Sequence, residues 1–195
     1  MKYLLFLVLL LFGVISKAQY ISPLDSIPKS KKGQLMKIGE NTSVDLLAGR
    51  TLRLFKLAFD SLQTKTKAGY YKIPNMRADS TKSKVVGVPI DIINSLSKQE
   101  FAEHLLAIYA DSLTETQLIQ LNKAFETEDG IRYKEFLRKV VNDEPIKTDY
   151  STTSFFNDID NYNTFFMMSG ITGYIAENMM LILFSYIEEK SYTYD

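Results

Sequence analysis

SKQEFAEHLLAIYADSLTETQLIQLNKAFETEDGIRYKEFL, residues Ser97 to Leu137, decides the fold. It opens on Ser97-Lys-Gln-Glu100, and the same construction recurs at Thr114-Glu-Thr-Gln117. Each reads as a capping box, in which the hydroxyl accepts from the backbone N–H three residues on and the Glu or Gln side chain reaches back to the first N–H. Leu96 with Phe101, and Leu113 with Leu118, stand at the staple positions flanking such boxes. The spacing predicts one helix over Lys98 to Ala110, burying Phe101, Leu105, Ile108 and Tyr109. A second is predicted over Glu115 to Glu126, burying Leu118, Leu121 and Phe125.

The end of the stretch, FETEDGIRYKEFL from Phe125, has the outline of a calcium loop: acids, a glycine, then Glu-Phe. Placing Gly130 at loop position six puts Phe125 at position one and Phe136 at position twelve, where carboxylates belong, and Glu135 falls one residue early. A hard divalent cation finds too few oxygens. The same residues suit a corner between helices: Thr127 as N-cap, Glu128 and Asp129 against the positive end of the helix dipole, and a helix to about Asn142. Gly130 in the first turn allows close approach, and Phe136, Leu137, Val140 and Val141 form the expected buried stripe.

Working towards the N-terminus, Pro89 suits a first helical position, with Ile90, Ile92, Ile93 and Leu96 following. Residues 64–88 carry two glycines, a proline and no sustained helical period. Lys65, Lys67, Lys72, Arg77, Lys82 and Lys84 face only Asp79 there, a local excess of +5 that suits either a solvated loop or a bound anion. Short strands at Tyr70 to Ile73 and Lys84 to Val88 are compatible with the β-branched and aromatic content. Val44 to Gln63 places Leu47, Thr51, Leu54, Phe55, Ala58 and Leu62 at helical spacing, and a shorter helix begins near Gln34. Residues 19–32, with two prolines and small polar residues, read as an exposed lead-in.

The order Phe101, Ile108-Tyr109-Ala110, Leu113-Thr114-Glu115-Thr116-Gln117-Leu118, Ala124-Phe125-Glu126-Thr127-Glu128-Asp129-Gly130 resembles an uncharacterised bacterial family of exported helical domains, domain of unknown function 2059. Leu113-Thr114-Glu115 matches that family's helix start. Phe125, Thr127 and Gly130 stand where its tyrosine, serine and glycine precede the last helix, while Glu128 replaces a proline and Ala124 an aromatic. The likeness covers about Lys32 to Asp143 and implies an all-α fold and export, with no activity, cofactor or catalytic residue to carry over.

The first eighteen residues, MKYLLFLVLLLFGVISKA, hold an apolar run from Tyr3 to Ile15, then small residues at Ser16 and Ala18. The run is too short for a membrane span and fits a secretory signal peptide cleaved between Ala18 and Gln19, so the expected location is periplasmic or secreted. The whole chain has 23 basic and 23 acidic residues; removing Lys2 and Lys17 leaves 21 against 23. That balance gives no general attraction to nucleic acid. Exported chains can form disulfides, but this one has no cysteine, so stability must come from packing.

Residues 144–154 read as a linker, and residues 155–195 differ from the rest: TFFMMSGITGYIAENMMLILFSYIEEK, Thr164 to Lys190, is dense in methionine and aromatics. Glu177 interrupts the apolar run, at a cost of about 2.5 to 3.5 kcal/mol for a charge at a bilayer centre, which speaks against a membrane span but leaves peripheral contact open. Gly170 and Gly173 predict a break between a helix near Ser154 to Met168 and another over Thr172 to Glu189. Met167, Met168, Tyr174, Met179, Met180 and Phe184 form the candidate contact surface for a protein or apolar ligand. The cluster Asn157 to Asn161 lacks a ligand spacing.

The expectation is an all-α helical bundle of about five to seven helices, with a helical domain over residues 33–143 and a C-terminal helical pair. His104, with Glu100 one turn before it, is the only histidine, too few ligands for zinc. No activated nucleophile or Gly-rich phosphate loop accompanies it. No catalytic, metal or cofactor residue is therefore assigned, and the leading reading is a non-enzymatic interaction or apolar-ligand-binding module. The alternatives are a hydrolase-like enzyme using His104 with nearby carboxylates, and a purely structural envelope protein.

Overall fold

The computed structural model describes residues 20–63, 70–74, 85–146 and 162–192. Among them are seven helices and one strand pair: α1 Lys29–Asn41, α2 Val44–Gln63, β1 Tyr70–Pro74, β2 Val85–Pro89, α3 Ile90–Ser95, α4 Lys98–Ser112, α5 Glu115–Ala124, α6 Glu128–Asn142 and α7 Tyr162–Tyr192. The fold is the expected all-α bundle. The leader, most of the linker and the cluster Asn157 to Asn161 lie outside the described residues.

Helix α4 is the centre of the bundle, packing against α1, α2 and α7. Its sequence explains why. Phe101, Ala102, Leu105, Leu106, Tyr109 and Ala110 are all buried, two adjacent apolar stripes that repeat every four residues and serve neighbours on more than one side. Phe101, Tyr109, Phe125 and Tyr186 are the largest fully buried side chains. Helix α1 lies on α5, where buried Asn122 accepts from Asn41 Nδ2 (3.0 Å) and donates to the Gln34 carbonyl (3.0 Å), satisfying polar groups that would otherwise be costly to bury.

The helix starts follow the caps read from the sequence, with one departure. Thr114 Oγ1 accepts from Gln117 N–H at 3.3 Å, and Gln117 Oε1 accepts from Thr114 N–H at 2.9 Å, a complete box. Thr127 Oγ1 accepts from Gly130 N–H (3.1 Å) and its hydroxyl donates to the Ala124 carbonyl (2.7 Å), so one side chain turns the corner between α5 and α6. A Cβ on Gly130 would lie 2.1 Å from that carbonyl oxygen, which is why the corner needs a glycine. At Ser97 only half the box is made: Ser97 Oγ accepts from Glu100 N–H (3.4 Å), but the Glu100 carboxylate turns to α7 instead of reaching back.

Several expectations are corrected. The lead-in is exposed only in part: Ile21, Asp25 and Ser26 face solvent, but Leu24 is fully buried, and Tyr20 and Ile27 pack against the core. Prolines and small polar residues there signalled the lack of a helical period, which is a different property from exposure. Helix α1 starts at Lys29, five residues before Gln34. Residues 64–88 are not simply a loop insertion, because β1 and β2 pair antiparallel with Tyr71 opposite Val88 and Ile73 opposite Val86, and buried Val88 ties the pair to the core. Lys65, Lys67, Arg77, Lys82 and Lys84 lie outside the described residues, and so does the question of a bound anion.

Helix α6 buries only Gly130; Phe136, Leu137 and Val141 are half-buried and Val140 is exposed, since the helix lies at the periphery against α2. The largest correction is α7. It runs unbroken from Tyr162 to Tyr192 through Gly170 and Gly173, one helix where a pair was expected. A glycine inside a helix costs only about 1 kcal/mol relative to alanine, less than the helix gains by burying Met168, Ile171 and Ile175 beside those glycines. Its Met167–Ser191 stretch, 25 residues, is long and apolar enough to cross a membrane by length and composition, a test that core helices also pass.

Candidate functional site

Helices α4 and α7 run side by side in opposite directions, with Ser97 and Phe101 against Tyr186, and Tyr109 against Thr172. Two features lie along this seam. Towards the C-terminal end of α4 is an open groove of about 440 Å³, lined by Ile108, Ser112, Met167, Gly170, Ile171 and Tyr174. Towards its N-terminal end is a cluster of polar side chains around His104.

The groove follows from residue spacing. Ile108 and Ser112 are one turn apart on α4, and Met167, Gly170, Ile171 and Tyr174 follow the i, i+3, i+4, i+7 pattern of one helix face. Gly170 contributes no side chain, and a Cβ built there meets no atom within 4 Å, so the groove is left open beside it. Below the lining, Tyr109 and Thr172 hydroxyls bond at 2.9 Å, and Thr172 also donates to the Met168 carbonyl. The wall is apolar apart from Ser112, with Gln117 Nε2 at 3.3 Å from Met167 Sδ. The volume lies in the lower part of the range of small-molecule pockets.

The six residues singled out on α7 do not form one surface. Met167 and Tyr174, 40% and 54% exposed, line the groove. Met168 is buried in the core. Met179 and Phe184 are half-buried against the core, Phe184 meeting the Phe55 ring edge-on at 6.2 Å. Met180 is exposed, but six residues beyond Tyr174 it points about 120° away around the helix. Ile108, Ser112, Gly170 and Ile171 were missed as lining residues. The pattern 167, 170, 171, 174 is present in the sequence, but Ile108, expected in the core, both packs partly against it and lines the groove.

In the polar cluster, Glu100 Oε2 accepts from the Tyr186 hydroxyl (2.5 Å) and from Lys190 Nζ (2.5 Å), while Ser97 N–H donates to the Tyr186 oxygen (3.1 Å). Burial, and then the hydrogen bond to the Glu100 carboxylate, pushes the Tyr186 hydroxyl far above the usual tyrosine range, so it stays protonated and donates. Tyr20 is also pushed far up, by burial first and then by Glu103. His104 Nδ1 lies 2.9 Å from the Glu100 carbonyl and 3.3 Å from the Tyr20 hydroxyl, and Nε2 lies 3.0 Å from Glu189 Oε2. The ring sits 4.8 Å from that of Tyr186. No group of three His, Cys, Asp or Glu side chains among the described residues is arranged to hold a metal ion. Comparison with family models, with curated proteins and with solved structures finds no match for the chain.

Proposed function

We propose that the chain is an exported, non-enzymatic module that binds an apolar ligand in the groove between α4 and α7. One observation carries this reading: an open cavity of about 440 Å³ whose wall is Ile108, Met167, Ile171 and Tyr174, with Ser112 as the polar exception. The signal peptide over residues 1–18 and the resemblance to domain of unknown function 2059 favour a periplasmic or secreted location. The hydrolase-like alternative draws little support from His104. Its side chain is 12% exposed, both ring nitrogens are engaged, and it is not among the residues lining the groove.

The test uses the neutral apolar fluorophore N-phenyl-1-naphthylamine with the full chain, which has no tryptophan to interfere. Saturable binding to one site is expected. Gly170→Leu fills the groove without meeting the surrounding fold and is expected to abolish that binding, while Gly173→Leu, equally unobstructed but off the lining, retains it. Binding that survives Gly170→Leu, or that never saturates, refutes the reading. Flotation with neutral lipid vesicles that requires Met180 and Leu181, both 46% exposed, would instead assign the outer face of α7 to peripheral membrane contact.

A further inference from the structure

We propose that protonation of His104 clips the C-terminal turns of α7 to α4, so that the helix is held more tightly in mildly acidic than in mildly alkaline surroundings. The argument is one of donors and acceptors. His104 Nδ1 faces the Glu100 carbonyl oxygen at 2.9 Å and Nε2 faces a Glu189 carboxylate oxygen at 3.0 Å, an acceptor at each nitrogen. Only the imidazolium carries N–H on both nitrogens. A neutral ring keeping its proton on Nδ1 turns a lone pair towards Glu189. A neutral ring keeping it on Nε2 turns a lone pair towards the carbonyl. Among the described residues, the one donor then left for Nδ1 is the Tyr20 hydroxyl at 3.3 Å, which already points at that same carbonyl.

The groups around the ring come from three elements: Tyr20 from the N-terminal segment, Glu100 and Glu103 from α4, and Tyr186, Glu189 and Lys190 from α7. Both tyrosines hold their protons. The Lys190 ammonium on the Glu100 carboxylate, 2.5 Å apart, fastens α7 to α4 without involving the imidazole. His104 on Glu189 is the link beside it that changes. Its contribution is present while the ring is protonated and is lost as pH rises. His104, Ile108 and Ser112 follow one another at four-residue spacing along α4, so the clip and the groove share one edge of the seam, yet the clip does not depend on any ligand.

Because His104 is the only histidine, its ring nitrogens give a single set of resonances in the full chain. Between about pH 5.5 and 8, the span in which imidazoles titrate, nitrogen shifts and backbone amide exchange at Tyr186 and Ile187, corrected for intrinsic exchange, are followed together. Two protonated ring nitrogens are expected at the acid end. Exchange at the two amides is expected to rise about two- to five-fold as one proton leaves, the span of a partly exposed ion pair. Glu189→Gln, on a half-exposed side chain, removes that rise, and His104→Gln does the same. A ring neutral throughout, exchange that does not change with pH, or an undiminished rise in Glu189→Gln overturns the proposal.

Discussion

At Thr114 the capping box closes on itself; at Ser97, seventeen residues earlier, the same signature opens outward. Gln117 returns to the N–H of Thr114, whereas Glu100 leaves Ser97 and accepts from Tyr186 and Lys190 of α7. The Ser97 N–H is not stranded, because the Tyr186 oxygen takes it. The difference lies in charge and neighbourhood. A carboxylate facing an ammonium that is only 10% exposed gains more from that partner than from one backbone N–H. Gln117, neutral and at an exposed start, has no such competitor. A local motif therefore fixes where a helix begins, while the partner of its charged member is decided by what packs above it.

The sharpest way to break this comparison is to remove the residue that replaced the missing arm. Tyr186 is buried, stacks on Phe101 at 5.7 Å and bridges Ser97 and Glu100. Tyr186→Ala is expected to destabilise the protein by about 3–5 kcal/mol, as truncation of a buried aromatic does, measured by urea unfolding. Amide protection at the start of α4 should fall with it, while that at Gln117 in α5 should follow only the global loss. Equal local losses at both starts would show that the two boxes do not differ.

Next in size is the pair Glu100→Gln and Gln117→Ala. Removing the Glu100 charge turns the ion pair with Lys190 into a weaker neutral contact, and hydrogen bonds to a charged group contribute about 1.5–3 kcal/mol. Removing the Gln117 amide loses one neutral bond at an exposed position, about 0.5–1.5 kcal/mol. Urea midpoints in that order sharpen the contrast, and the reverse order breaks it.

The same contrast marks how far the sequence could be read. Starts that depend on neighbouring residues were legible: Thr114 and Thr127 cap as their spacing implied, Ser97 caps with half of its expected box, and Val44 to Gln63 is one helix with those bounds. What depended on distant packing was not. Gly170 and Gly173 looked like a break because their local cost is visible, while the burial of Met168, Ile171 and Ile175 that overrides it is not. Leu24 looked exposed because nothing nearby reveals that the core lies above it. For the groove, Met167 and Tyr174 were legible as apolar residues on the right helix. Its other wall, Ile108 and Ser112, comes from a helix more than fifty residues earlier, and only the antiparallel seam brings the two together.

The smallest expected effect tests the comparison at its finest grain, because it concerns the hydroxyls alone. Thr114→Ala removes both the acceptor for Gln117 N–H and a donor that Gln117 Oε1 also uses at 2.9 Å, so the whole box loosens, and the cost should be about 1 kcal/mol. Ser97→Ala removes one acceptor whose bond to Glu100 N–H is long, 3.4 Å, and leaves the Ser97 N–H still held by Tyr186. Its cost should be a few tenths of a kcal/mol, below the ~1 kcal/mol typical of N-cap removal. In the Tyr186→Phe background that N–H loses its acceptor, and Glu100 is freed of one donor and able to swing back. Ser97→Ala should then cost as much as Thr114→Ala does, because the box at Ser97 has been allowed to close. If its cost stays small there, the weak cap is a property of Ser97 itself and not of the helix packed over it.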